Sequence, residues 1–209
     1  MTLDNSQAAI SDDAQRALSP GKYLVTGAIG FCLASLCVFA TVAFAERWMY
    51  SRLGLAGAYI VWTCLFILLG GGILSPLLIG RRLVWFYILF SIAFLAYAVG
   101  WTGAYFTLGD TAGEWGGSFA GSVLMGLVFA AGFKNLRAAP SLCASLFVAN
   151  SVGYFFGSAL NEQVGGKTGM LLWGAAYGLA LGAGLGASLY IAQSRRATGS
   201  LTEQKESDR

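Results

Sequence analysis

The sequence contains no histidine, and only 11% of its 209 residues are charged. Without histidine there is no ordinary imidazole ligation of haem and no imidazole proton relay. Soluble domains carry roughly 25% charged residues, so the chain falls outside that class. Ionisable side chains are also absent from the centres of the apolar blocks. That argues against a proton pump built on a buried carboxylate and against a voltage sensor.

Other signatures are missing as well. The first twenty residues carry Asp4, Asp12 and Asp13 against Arg16, which is neither the basic-then-apolar order of a secretory signal nor an arginine-rich transit peptide. They read as a polar tail, with a short surface helix expected over 11–18. No GxSxG, HExxH, Walker or dinucleotide-binding motif occurs. The stretch GGKTG at 165–169 superficially resembles a phosphate loop, but it lacks the upstream glycine spacing and the preceding strand. With no histidine and no central Asp, Glu or Lys, an intramembrane hydrolase would have no base. The expectation is a protein that is not an enzyme, with no cofactor and no metal. Cys32, Cys37, Cys64 and Cys143 lie in or beside apolar segments without ligand spacing, and read as small buried apolar filler. The net charge of +3 carries no nucleic-acid signal.

Hydrophobic residues, by contrast, make up 56% of the chain and come in blocks. Only helices and closed barrels satisfy their backbone in hydrocarbon. Barrel strands would alternate in polarity, whereas these blocks are apolar all round. The expected fold is all-α: a polytopic integral membrane protein with a bundle of six transmembrane helices. Charge and turn signals place the spans at about 23–45, 55–79, 83–108, 115–133, 138–160 and 168–192, each near the ~20 residues a crossing needs. These spans form one domain, 22–193, between a polar N-terminal tail (1–21) and a tail at 194–209 expected to be disordered.

Basic residues set the orientation. With the N-terminus inside, the inner regions hold Arg16, Lys22, Arg81, Arg82, Lys134, Arg137, Arg195, Arg196, Lys205 and Arg209. The outer regions hold only Arg47, Arg52 and Lys167. Both termini are therefore expected in the cytoplasm, in a bacterial inner (plasma) membrane, with the basic residues near anionic lipid headgroups.

The last span carries glycines at four-residue spacing: Gly174, Gly178, Gly182 and Gly186. One helix face is thus bare of side chains, which permits close backbone approach. Gly153 and Gly157 form a second such ridge in the fifth span, and Gly117 and Gly121 a third in the fourth. Their partner is either this chain's own bundle or another protein, so a homo-oligomer or a larger membrane complex is among the expected partners, beside the lipids. The second span contains Gly70, Gly71, Gly72, Ser75 and Pro76, which predict a kink or partly unwound segment. A three-plus-three duplication finds glycine then serine late in spans two and five, but fails between the aromatic third span and the glycine-rich sixth.

Asn150 is the one amide well inside a span, with Tyr154 one turn on. Tyr97, Trp101 and Tyr105 make a stripe in the third span, and Trp173 and Tyr177 flank the glycines of the sixth. An outer-half substrate-binding site lined by Asn150, Tyr154, Tyr97, Trp101 and Tyr177 is expected, mostly apolar with a few hydroxyl and amide groups. Asp110 and Glu114 share a face if their stretch is helical, and read as solvated loop carboxylates. The functional expectation is a carrier or channel for a small neutral or zwitterionic solute; the alternative is a non-catalytic structural or assembly subunit that packs through its glycine faces.

Overall fold

A computed structural model describes residues 19–79 and 83–207, with side chains described as far as Ser194. The expected surface helix at 11–18 lies outside these residues, as do Arg81 and Arg82. The protein is an all-α bundle. Its helices are α1 (Pro20–Leu74), α2 (Leu83–Leu108), α3 (Asp110–Gly132), α4 (Ala139–Val164) and α5 (Gly166–Ser207), with short 3₁₀ turns at Ser75–Leu77 and Leu136–Ala138. Five helices are long and apolar enough to cross a membrane.

The 55-residue α1 is two helices in one. Gly54, at φ 68° and ψ 179°, breaks it. The arms on either side (20–53 and 55–74) lie antiparallel: Tyr50 meets Trp62 near the break, while Phe31 stacks on Phe66 and Gly30 abuts Ile73 far from it. The loop expected over 46–54 is instead helical up to a single residue. The stretch LGDTAGEWGG is likewise not a loop, because α3 begins at Asp110 directly after Gly109.

Gly54, Gly109 and Gly165 are the same device. Their φ values of 68°, 67° and 70° and ψ values of 179°, 166° and 173° lie where only glycine is comfortable. At Gly109 and Gly165 the N–H closes the helix before, bonding the carbonyls of Tyr105 and Asn161. Their carbonyls then open the helix after, accepting from Gly113 and Gly169. The glycines stand 55 and 56 residues apart, so the repeating unit is a two-helix hairpin taken three times. That is why the three-plus-three comparison fails.

Within each later hairpin, small faces receive aromatic residues. A Cβ on Gly117 or Gly121 of α3 would strike Trp101 or Tyr97 of α2. In α4 and α5 the roles are exchanged, and a Cβ on Gly157 or Gly153 would strike Trp173 or Tyr177. The four-glycine ladder of α5 faces the first arm of α1. Gly174 abuts Phe39, Gly178 abuts Ser35 and Cys32, Gly182 abuts the Gly27 carbonyl, and Gly186 abuts the Tyr23 carbonyl. The ladder is therefore internal to the protomer. Gly27, opposite Gly182 and Gly186, lets two bare backbones touch.

The second arm of α1 does not unwind at its glycine triplet. The helix runs to Leu74 and ends just before Ser75 and Pro76. Gly70 makes room for Phe31 and Phe90, and Gly71 and Gly72 for Tyr87, whose hydroxyl donates to the Leu68 carbonyl at 3.0 Å. The triplet is a docking surface for α2, which replaces the expected kink. The turn that follows is held by Gln193 of α5. Its Oε1 accepts from the Ile79 N–H at 2.8 Å, and its Nε2 donates to the Leu77 carbonyl at 3.2 Å. The α5 backbone stays helical to Ser207, past the point where the polar tail begins in the sequence.

Candidate functional site

Four helices bring polar side chains to one point. Asn150 of α4 is 0% exposed, and in hydrocarbon such an amide must find partners. Its Oδ1 accepts from the Tyr97 hydroxyl of α2 at 2.8 Å and from the Tyr177 hydroxyl of α5 at 3.1 Å. The two hydroxyl oxygens stand 3.2 Å apart. Two hydroxyl protons serve three close oxygens, so when both are given to the amide nothing bridges the tyrosines. On its other side Asn150 Nδ2 donates to Ser118 Oγ of α3 at 2.8 Å, and Ser118 pairs with Ser151 at 2.6 Å. An amide carries two N–H protons. Among the described residues only one of these has an acceptor.

Glycines permit this convergence. Gly121 admits the Tyr97 ring, and Gly153 lets the Tyr177 backbone approach α4. With a Cβ at either position the hydroxyls would stand off from Asn150.

Trp101 and Tyr154 belong to a second cluster toward the glycine turns. Trp101 stacks on Tyr105 with centroids 5.0 Å apart. The Tyr154 ring contacts Trp101, tilted at 5.9 Å, and Trp173, edge-on at 5.7 Å. Its hydroxyl donates to Glu114 Oε1 at 3.0 Å, not to Asn150. Trp173 then contacts Phe39, and Phe39 contacts Tyr177, so a continuous run of rings joins this aromatic layer to the amide. Of the five residues expected to line one site, the structure brings Tyr97, Asn150 and Tyr177 into one hydrogen-bonded cluster and Trp101 and Tyr154 into the layer above.

Beyond the amide, away from the turns, the bundle is closed by large apolar side chains. Phe86, Phe90, Met125, Phe129, Leu142, Leu146, Leu185 and Leu189 are all buried. A cavity of about 130 Å³ opens at that far end, lined by Lys22, Tyr23 and 76–79. Asn150 is not part of it.

Sequence reasoning misses Ser118, Ser151 and Gln193. Ser118 does carry a signal: it lies four residues after Glu114 and four before Ser122, a polar stripe on an otherwise small and apolar helix. Ser151 adjoins Asn150 and is overshadowed by it. Gln193 lies among the last residues of the apolar block, where a side chain reads as an interface anchor. Glu114 reads as a loop carboxylate in the sequence; it sits instead in the second turn of α3, half-buried, bonded to Tyr154. Among the described residues no group of His, Cys, Asp and Glu side chains could hold a metal ion, and the four cysteines are unpaired thiols, of which Cys37 and Cys64 are exposed on the bundle surface and not the buried filler expected. No protein-family model, curated protein or solved structure matches the chain.

Proposed function

We propose that the protein is a non-catalytic carrier or channel for a small neutral or zwitterionic solute. In this reading six helices cross a bacterial inner membrane, with both termini in the cytoplasm. The solute site is the amide–hydroxyl cluster of Asn150, Tyr97 and Tyr177, entered past Trp101 and Tyr154. The observation that carries the reading is the buried Asn150 amide, where hydroxyls from three other helices converge without any charge and one N–H is left unused. Uncharged donors and acceptors at mid-bundle suit a solute without net charge, since an unpaired ion there would be strongly disfavoured.

The layering supports it. The polar cluster has aromatic rings on the side of the turns and a Phe–Leu–Met plug on the other. That is the arrangement of a closed conformation with its thicker barrier toward the cytoplasm. The fold-back at Gly54 supports a sixth crossing, and the ten-to-three division of basic residues supports the orientation.

The alternative, a structural subunit of a membrane complex, rests on glycine faces meeting another protein. The ladder's burial against the first arm of α1 leaves that reading without its interface.

Two measurements test the proposal. In proteoliposomes the wild type is expected to take up members of a panel of neutral and zwitterionic solutes faster than protein-free vesicles, and Asn150→Leu is expected to abolish the difference. Flux equal to protein-free vesicles across the panel would remove the carrier reading. For the orientation, in a cysteine-free background, a cysteine at Thr111 is expected to react with impermeant reagent from outside and one at Ser200 from inside. The reverse labelling pattern would overturn it.

A further inference from the structure

The aromatic layer holds a group that the polar cluster lacks: a carboxylate. Glu114 is half-buried, and among the described residues it has no basic partner; it is held by the Tyr154 hydroxyl at 3.0 Å. The ring that carries that hydroxyl packs on two indoles, tilted against Trp101 and edge-on to Trp173, and Tyr105 stacks on Trp101. The indole N–H of Trp173 is buried and has no hydrogen-bond partner, so this layer is not closed on itself as Asn150 and its hydroxyls nearly are. Lys167 has its Nζ 4.7 Å over the Phe44 ring.

A carboxylate bonded to a tyrosine that itself packs on two indoles joins the two elements that select an alkylated ammonium group. The ring faces attract the cation, the carboxylate neutralises it, and the methyl groups remain in apolar contact. An inorganic cation would require oxygen ligands that these rings do not supply. A neutral solute would leave the carboxylate without a counter-charge.

We propose that Glu114, Trp101, Tyr105 and Trp173 form an outer recognition site for a small alkylated ammonium solute, with Tyr154 occupying the place of the cation in the closed structure. The site rests on the carrier reading in that it names the solute: one bearing an ammonium head, zwitterionic overall if it is to continue to the uncharged cluster at Asn150. Tyr154 contacts both indoles, tilted against Trp101 and edge-on to Trp173. Turning it out uncovers indole surface and at the same time releases Glu114.

The test is calorimetric titration of the full chain in lipid nanodiscs with choline and with its uncharged isostere 3,3-dimethyl-1-butanol. The wild type is expected to bind choline roughly tenfold more tightly than the isostere. Glu114→Gln is expected to remove the preference. Tyr154→Phe keeps the ring but frees the carboxylate, and is expected to tighten choline binding several-fold. Equal binding of the two ligands by the wild type, or a preference unchanged in Glu114→Gln, would overturn the site. Folding is followed separately by thermal unfolding, so that a collapsed variant is not read as lost binding. The carrier reading fails independently: choline binding without any uptake in vesicles removes transport and leaves the site, whereas uptake of uncharged solutes without choline binding removes the site and leaves transport.

Discussion

The half of the bundle near the glycine turns and the half away from them are built from different materials. Near the turns, tyrosine hydroxyls, serines, an asparagine and a glutamate meet among indole and phenol rings. Away from them the core is mainly phenylalanine, leucine and methionine, with Tyr23 buried among them and backbone-to-glutamine bonds at the rim. The backbone device is the same throughout, since small faces of one helix receive bulk from the next. The difference therefore lies in what was placed in the spaces the glycines leave. Where the inserts are Tyr97 and Tyr177 they carry hydroxyls to mid-bundle; where they are phenylalanines, as at Gly70, they only fill.

Two halves built so differently should fail differently. The half away from the turns should respond to volume. Phe129→Ala removes a fully buried ring and is expected to cost about 3–5 kcal/mol, read as a lowered unfolding midpoint in detergent, with the solute preference of any surviving flux unchanged. The ladder comes next. A side chain at Gly182 would meet the Gly27 carbonyl and Phe31 Cβ, the latter only 2.7 Å from the first added carbon. Gly182→Leu is therefore expected to cost about 1–3 kcal/mol or more by forcing α1 from α5. A neutral result would mean the ladder does not hold the protomer together.

At the turns, a Cβ on Gly165 would touch nothing within 4 Å, so Gly165→Ala tests backbone conformation alone, with a cost of about 1–3 kcal/mol expected from the positive φ. The half near the turns should respond to polarity more than to volume. Asn150→Leu is expected to cost only about 1–2 kcal/mol, the range of interhelical hydrogen bonds in membranes, while removing flux entirely. The smallest stability effect is expected for Glu114→Gln, under about 0.5 kcal/mol, since the amide keeps a bond to Tyr154. A Glu114→Gln loss as large as that of Phe129→Ala would erase the distinction between the halves.

Much of the frame was legible in the residues, because hydropathy blocks and glycine spacing are local signals. The helical class, the positions of the apolar segments and the close-packing faces all follow from residues such as Gly174 to Gly186. The connections were not legible. Residues 46–53 look like a loop because they are charged, yet charge does not prevent helix, and only Gly54 departs from it. The direction of the ladder was equally hidden: four bare positions specify close approach, and it takes Gly27, on the first arm of a helix at the other end of the chain, to say to what. At the site, Tyr97, Asn150 and Tyr177 stood out as polar groups in apolar helices. Their division from Trp101 and Tyr154 did not, since it depends on Tyr154 turning to Glu114, a contact between helices that no spacing within one helix reveals.

The central claim is that the amide–hydroxyl cluster holds a solute and is more than a clasp between helices. The most direct measurement is solute uptake by proteoliposomes containing equal amounts of folded wild type and Asn150→Leu, with the folded fraction set by unfolding assays. Saturable uptake in the wild type that is lost in the variant, at a stability cost of about 1–2 kcal/mol, is the expected result. Uptake that persists undiminished in Asn150→Leu, or that never exceeds protein-free vesicles in the wild type, would contradict it.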